Sequence, residues 1–264
     1  MTYSTAALAT LAVAVASAPP MPRAATTTKY HLSAKVDQTV DLSVFGAPNQ
    51  VTNQTLDAWV VVTLTDSAGG RVVHAILDSA KAESNAPGAD PAAAAAAKGA
   101  MIHGFQDPQG RVKNLTASMP SNPVAASVAG AVNGLFPRVR PGAKAGASWV
   151  DTTEVPNPGE GNNTTIRLVT TYAAGAPESV GSLAGMRVNA TSTSTISGTM
   201  TNPQAGTMDV DGVGAGSGSF VVASDGRFLG GTVSSSQELK LKVAMAPNPI
   251  PVKVVQSLVV TLLK

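Results

Sequence analysis

Apolar and polar residues alternate between Tyr30 and Val44, with Gln38 as the single break. Successive side chains of a β-strand point to opposite faces, so this stretch predicts a strand with one buried and one wet face. At about 3.3 Å per residue it would run about 50 Å, longer than an ordinary strand, so we expect it to bend or bulge. The alternation recurs in Leu56–Leu64, and the turn Asp66–Gly70 leads into Arg71–Leu77 as a hairpin partner.

Further strand-like stretches are rich in Thr, Ser and Val, residues that suit a pleated surface. The glycine-rich run Asp209–Gly218 reads as a flexible turn or a glycine-rich strand. These patterns predict a mainly β (α+β) protein with a curved antiparallel sheet or half-barrel, and a β-sandwich is the alternative. The additional strands are expected at Arg111–Thr116, Thr165–Tyr172, Met186–Thr199, Ser219–Ala223, Arg227–Ser234, Glu238–Met245 and Val252–Leu263.

One helix is predicted in the middle of the chain, at residues 123–134. Asn122 is a good capping residue, Pro123 suits the first helical position, and Gly134 is a suitable C-cap. The helix carries no charge on any side, which favours a central apolar helix lying on the sheet; a mobile lid or a membrane-contacting helix is the alternative. A second candidate, Asp90-Pro91 followed by six alanines, has no packing stripe and is expected to be a surface helix or a linker.

The N-terminus resembles an export signal. Ala6–Ala18 is an uncharged stretch of mostly small apolar residues, about as long as a signal-peptide core, although no basic residue precedes Arg23. Residues 1–25 are therefore expected to be a signal peptide or a disordered N-terminal segment of an exported protein, periplasmic or extracellular. Residues 28–264 are expected to form a single β-rich domain, whose strand-rich halves, 28–121 and 149–264, are joined by helix 123–134. No later stretch is long and apolar enough to predict a transmembrane span.

Composition excludes several classes of function. The 264 residues include no Cys, so disulfides, thiolate zinc sites and catalytic thiols are excluded. A net charge of +2 and 4% aromatic residues argue against a nucleic-acid partner. His31, His74 and His103 are not spaced as metal ligands, and Asp209 and Asp211 are the nearest pair of carboxylates. We therefore expect no enzyme, no cofactor and no metal site.

An approximate internal repeat places Asp, Gly and Arg in the same order at three turns. It occurs at Asp66–Arg71, at Asp107–Arg111 and at Asp225–Arg227. Asp and Gly favour the turn, and Arg begins the next strand. We interpret the repeat as recurring hairpin chemistry rather than as a basic site.

The segment from Phe136 to Trp149 reads FPRVRPGAKAGASW and joins the predicted helix to the second strand-rich half. Its order of Pro, Val, Pro-Gly and Gly-x-x-Trp after an apolar helix resembles uncharacterised exported bacterial families. These are similar in plan to the periplasmic lipoprotein-carrier half-barrel, in which helices plug a curved antiparallel sheet. The resemblance implies that fold, a location in the cell envelope, and carriage of an apolar ligand.

Three functions from different classes are considered for this sequence, and the third, against which the missing motifs argue, is a hydrolase whose Asp209, Asp211 and a histidine come together only in the fold. The first is an exported envelope protein that binds a lipid or other apolar small molecule in a half-barrel cavity, the usual concave shape of a ligand site. The second is a structural or adhesion β-module with a solid core. The candidate residues for an apolar lining in the first case are Val124, Val128, Val132, Leu135, Phe136 and Trp149.

Overall fold

The structure is a computed structural model that describes residues 25–264, apart from 88, 109, 137, 138, 140–142, 160, 161, 203–205 and 245. The N-terminal segment predicted as a signal peptide or disordered lies, up to residue 24, outside the described residues. The strands are β1 (Ala25–Val40), β2 (Gln50–Ser67), β3 (Gly70–Ser84), β4 (Met101–Gln106), β5 (Val112–Ala117), β6 (Ser148–Gly159), β7 (Asn162–Val180), β8 (Leu183–Asn202), β9 (Gly206–Ala223), β10 (Phe228–Val243) and β11 (Ile250–Leu263). The helices are α1 (Ala93–Ala96) and α2 (Pro123–Asn133).

The described strands form one antiparallel sheet of 11 strands in the order β5-β4-β3-β2-β1-β11-β10-β9-β8-β7-β6. The predicted curved antiparallel sheet is confirmed, and the β-sandwich alternative is wrong because β1 pairs with both β2 and β11. Strands of both halves therefore belong to one sheet, and α2 lies in the connection from β5 to β6. The sheet is not closed, and β5 and β6 are its edges.

The sheet curves around a shared core. Val60 and Leu77 from the N-terminal half belong to the same buried cluster as Val188 and Phe220 from the C-terminal half. The face that carries these residues is called the inward face here, and the opposite face is the outward face. Ahead of β5, Arg111 Nη2 lies 3.9 Å from Asp151 Oδ1 on β6, so the two edges approach each other at this point.

The long alternating stretch forms β1 but ends as a strand at Val40, earlier than predicted. The chain then enters a 3-10 turn at Ser43–Phe45. Alternation continues beyond the strand because Leu42 and Val44 still pack inward, against a small cluster that includes Met208. β1 was expected to bend or bulge, and it pairs with β2 and β11 without a register shift, so neither ladder shows a bulge in it. A register shift is found instead in the β2–β3 pair, beside Trp59.

The predicted central helix is confirmed as α2. The Asn122 side chain accepts hydrogen bonds from the backbone N–H groups of Val124 at 2.9 Å and Ala125 at 3.1 Å, which satisfies two donors that a helix leaves unpaired. Gly134 is the C-cap, with right-handed helical geometry. The helix packs against α1, β3 and β5.

The alanine-rich segment behaves differently from the prediction. Only Ala93–Ala96 is α-helical, and the expectation of a surface position holds for one side of the segment only, since Ala92, Ala95 and Ala96 are exposed. Ala97 and Ala100 are fully buried in the main core together with Ala93 and Ala94. The buried alanines recur at helical spacing, and their small side chains allow the backbone to pack closely against the neighbouring helix and sheet. The sequence does not mark this buried side because the exposed positions within residues 93–97 are also alanines.

One buried tyrosine spans the core. The hydroxyl of Tyr30 on β1 donates a hydrogen bond of 2.8 Å to the carbonyl oxygen of Phe228 on β10. Burial raises the pKa of this phenol to about 12, against a smaller lowering by the Thr28 side chain. The core around the ring therefore favours the neutral form of Tyr30.

Candidate functional site

A cavity of about 1040 Å³ lies between α2 and the inward face of the sheet. Its floor crosses five neighbouring strands, from β3 through β2, β1 and β11 to β10. Two inward rows of side chains make this floor. The register aligns Ala82, Leu56, Ala34, Leu258 and Val233 in an apolar inner row, and Ser84, Gln54, Val36, Gln256 and Ser235 in a mainly polar outer row.

The exposure of the lining shows which end of the cavity is deep and which end opens to solvent. Beyond the inner row, toward the core, Leu32 and Ala58 are at most 1% exposed. In the outer row, Gln54 and Gln256 are exposed. The cavity therefore has an apolar depth and a polar mouth, the distribution that an amphiphilic molecule requires.

One side of α2 forms the roof of the cavity. Val124, Ser127, Gly130 and Ala131 face it and recur at helical spacing. A Cβ added at Gly130 would meet no heavy atom within 4 Å, so the space beside the helix is open there. The roof contains no charged residue.

The connection between β3 and α1 forms the remaining wall. Ala86, Pro87, Ala89 and Pro91 line it together with Asp90. The Asp90 carboxylate accepts a hydrogen bond of 2.8 Å from the backbone N–H of Ala92. This carboxylate therefore stabilises the turn that enters α1.

The structure places the six predicted lining residues in two groups. Val124 lines the cavity, as well as being largely buried. Four others lie in the core: Val128 and Val132 are fully buried, and Leu135 and Phe136 lie beside Tyr30 and Phe228. Trp149 is partly buried against this core and stacks on Tyr172 with ring centroids 5.4 Å apart. The helix thus has a core face, which the apolar stripe predicted, and a separate small-residue face toward the cavity. Contact of these residues with a ligand stays a prediction.

Most cavity residues were missed because they come from strands that are distant in sequence. One signal in the sequence did mark the mouth. Gln38, the break in the alternation of β1, occupies an inward position where an apolar residue was expected. The residue that interrupts the pattern is therefore a polar side chain beside the mouth. Residues 137, 138 and 140–142 of the predicted joining segment lie outside the described residues.

A second cavity, of about 840 Å³, lies where the repeated Asp-Gly-Arg turns approach one another. Arg71 Nη1 donates a 2.8 Å hydrogen bond to the carbonyl oxygen of Asp225, and Arg71 Nε lies 3.3 Å from Asp66 Oδ1. Lys113 Nζ lies 3.2 Å from Asp107 Oδ2, and Arg227 Nε lies 2.7 Å from Asp225 Oδ2. Of these four contacts, the Arg71–Asp225 hydrogen bond joins two turns, and the other three lie within single turns. These contacts within and between turns agree with a structural interpretation of the repeat.

The histidines lie on the outward face. His31 Nε2 is 3.0 Å from Asp57 Oδ1, and the His31 ring stacks on Trp59. His74 and His103 are directly opposite on β3 and β4, with ring centroids 4.7 Å apart, a pairing that sequence spacing did not reveal. Within the described residues, no group of three or more metal-ligating side chains is found.

The neighbouring carboxylates of Asp209 and Asp211 are also on the outward face. Asp209 and Asp211 are exposed on β9, and Asp211 Oδ2 lies 3.5 Å from Lys242 Nζ. Neither carboxylate lines the cavity under α2.

Neither helix in the described part of the chain has the length and apolarity needed to cross a bilayer.

Comparison with known proteins gives no family for this chain and a distant structural similarity. No family model matches the chain, and no curated protein matches it. Among solved structures, the chain is similar to one described as lipid–protein interactions in lipovitellin, at 11% identity and a TM-score of 0.44, over 90% of this chain and 25% of that chain. The chain thus spans about a quarter of the lipovitellin chain that it matches. What the cavity can hold follows from its own geometry.

Proposed function

We propose that the protein is an exported envelope carrier that holds a lipid or another molecule with an apolar chain between α2 and the sheet. The observation that supports this most directly is the cavity of about 1040 Å³ with an apolar inner row. Its volume is at the upper end of the range of about 300–1,000 Å³ that is usual for small-molecule sites. An apolar chain that leaves water for this row gains about 0.8 kcal/mol for each buried methylene group.

The cavity also supports the carrier over the alternative, a structural or adhesion module with a solid core. Protein interiors are normally packed with few voids larger than a water molecule. The core around Leu32 and Val128 meets this expectation, because both side chains are at most 1% exposed. The space under α2 does not, which supports a ligand site there.

Uptake of the uncharged apolar dye N-phenylnaphthylamine, followed by its fluorescence, tests the proposal. The unmodified protein is expected to bind the dye. Ala131→Trp places a large side chain in the cavity and should weaken binding at least tenfold, whereas Ala126→Trp, on an exposed part of the same helix outside the cavity, should not. Equal binding by both variants, or no binding by the unmodified protein, would contradict the carrier function.

Export is part of the same proposal and is supported by the apolar stretch Ala6–Ala18 alone. Small residues at Ala14, Ala16 and Ala18 offer A-x-A cleavage sites. Mass spectrometry of the protein recovered from an envelope fraction should show a mature chain that begins after Ala16 or Ala18. Recovery of the uncleaved chain in the cytoplasmic fraction would contradict export.

A further inference from the structure

Charged residues near the cavity are separated by face of the sheet. In β1, β10 and β11, every Lys, Asp and Glu occupies an outward position of the register, and the inward positions carry none. The outward cations are exposed and include Lys35, Lys240 and Lys253. A molecule bound on the inward face is therefore kept apart from these cations by the sheet itself.

The lining confirms this separation. Among the described residues that line the cavity, only Glu83 and Asp90 are charged, and none is a cation. The register pairs Glu83 with Thr55, in an outward row. Asp90 accepts the hydrogen bond from Ala92 within its own turn. A carboxylate or phosphate head thus has no cation beside it in the lining. The two carboxylates that an ammonium head could approach lie in an outward row, at Glu83, and in the turn that enters α1, at Asp90.

The mouth instead offers neutral amides. Gln54 and Gln256 flank Val36 in the outer row, and Gln38 and Gln237 flank Val254 one row further out. We call these four residues the glutamine patch: Gln38, Gln54, Gln237 and Gln256. With strands about 4.8 Å apart, the two members of each row are separated by about 10 Å.

The sheet makes room for this patch. A Cβ added at Gly214 on β9 would lie 3.0 Å from Gln237 Cγ and 2.5 Å from Ser194 Oγ. Glycine at this inward position therefore leaves space for the Gln237 side chain over the neighbouring strand. Each amide provides two donors and one acceptor, and the hydroxyls of Ser84 and Ser235 lie in the outer row beside Gln54 and Gln256.

From this arrangement we infer that the ligand is an amphiphile whose head is uncharged and rich in hydroxyl groups, such as an acylglycerol or a glycolipid. The inference rests on the proposed carrier function and names the chemical class that its site selects. Hydroxyl groups both donate and accept, so they can replace their bonds to water with bonds to amides at the mouth. An anionic head would lose part of its hydration without gaining a cationic partner, and a cationic head would find no carboxylate among the amides of the glutamine patch, so either loss of hydration is unfavourable.

Displacement of N-phenylnaphthylamine by amphiphiles with matched sixteen-carbon chains tests this inference. Monopalmitoylglycerol, palmitate and hexadecyltrimethylammonium are compared, each below its critical micelle concentration. The uncharged compound should bind at least tenfold more tightly than either ion. Equal binding of all three, or tighter binding of an ion, would overturn the inference while leaving the carrier function intact. Failure of the dye itself to bind would instead refute the carrier function and the inference with it.

A variant with a new charge provides an independent measurement. Gln256→Lys places a cation in the mouth and should strengthen palmitate binding at least tenfold relative to monopalmitoylglycerol. Ser236→Lys is the matched control, because Ser236 lies on the outward side of β10 and outside the cavity lining. An unchanged preference in Gln256→Lys, or the same change in both variants, would show that the head does not contact the mouth.

Discussion

Asn122 makes two kinds of contact whose loss can be measured separately. Its side-chain oxygen caps α2 through Val124 and Ala125, and its amide nitrogen donates a 3.0 Å hydrogen bond to the carbonyl oxygen of Ala93 in α1. An N-cap contributes about 1 kcal/mol, and a hydrogen bond within a protein contributes about 1 kcal/mol net. Asn122→Ala should therefore lower the free energy of unfolding by about 2 kcal/mol.

For a chain of this size, 1 kcal/mol shifts Tm by about 2–4 °C, so Asn122→Ala should lower Tm by about 4–8 °C. Asn122→Asp keeps the capping oxygen and removes only the donor to Ala93, so it should cost about 1 kcal/mol. Asn133→Ala is the control, because Asn133 is exposed on the same helix and the change is expected to be neutral or slightly stabilising. Thermal and urea unfolding followed by circular dichroism measure all three.

Since α2 is the roof of the cavity, Asn122→Ala should also weaken binding of N-phenylnaphthylamine. An equal loss of stability in Asn122→Asp and Asn122→Ala would refute the contribution of the cap. A loss below about 0.5 kcal/mol in Asn122→Ala would refute the role given to both contacts.

Three further substitutions give expected outcomes. Tyr30→Phe removes the hydrogen bond to Phe228 and should cost about 1–2 kcal/mol in urea unfolding at neutral pH. Burial raises the pKa of Tyr30 to about 12, so the neutral phenol should contribute about 3 kcal/mol to the free energy of unfolding. This contribution should be complete below about pH 10 and lost by about pH 12. If the free energy of unfolding of Tyr30→Phe falls as steeply at alkaline pH as that of the unmodified protein, the contribution is refuted. Gly130→Ala should raise the free energy of unfolding by about 0.8 kcal/mol, since the new Cβ enters open space, and a destabilised variant would show that the space is filled. Val128→Ala should lower it by about 2–3 kcal/mol through lost burial and a new void, and a near-neutral result would place Val128 outside the core.

The alternation of β1 and β2 was sufficient to predict the sheet because each strand has one inward face. Two strands escaped prediction for local reasons. β6 contains Pro156 and Pro158 and lies at an edge, where a residue without an N–H donor is tolerated. β4 is short and has Gly104 at an inward position, so its pattern of alternation is weak.

The glycine-rich part of β9 shows how neighbours decide a conformation that composition leaves open. The sequence of Asp209–Gly218 is consistent with a turn or a strand. It forms a strand because β8 and β10 pair with it on both sides. The cavity had a similar origin. Leu56 and Leu258 lie in one row because both are paired with Ala34 on β1, the strand between β2 and β11. The order of strands in the sheet cannot be predicted from local sequence patterns.

In the proposed function, an apolar chain lies between α2 and the apolar inner row of the cavity floor. Nuclear magnetic resonance with a monoacylglycerol that carries a doxyl spin label near the end of its chain tests this directly. Strong broadening of the backbone amide signals of Leu56, Ala131 and Leu258 is expected, with unchanged signals for the outward residues Val72 and Ile76. Broadening confined to the outward residues, or spread evenly over the sheet, would refute this position of the chain.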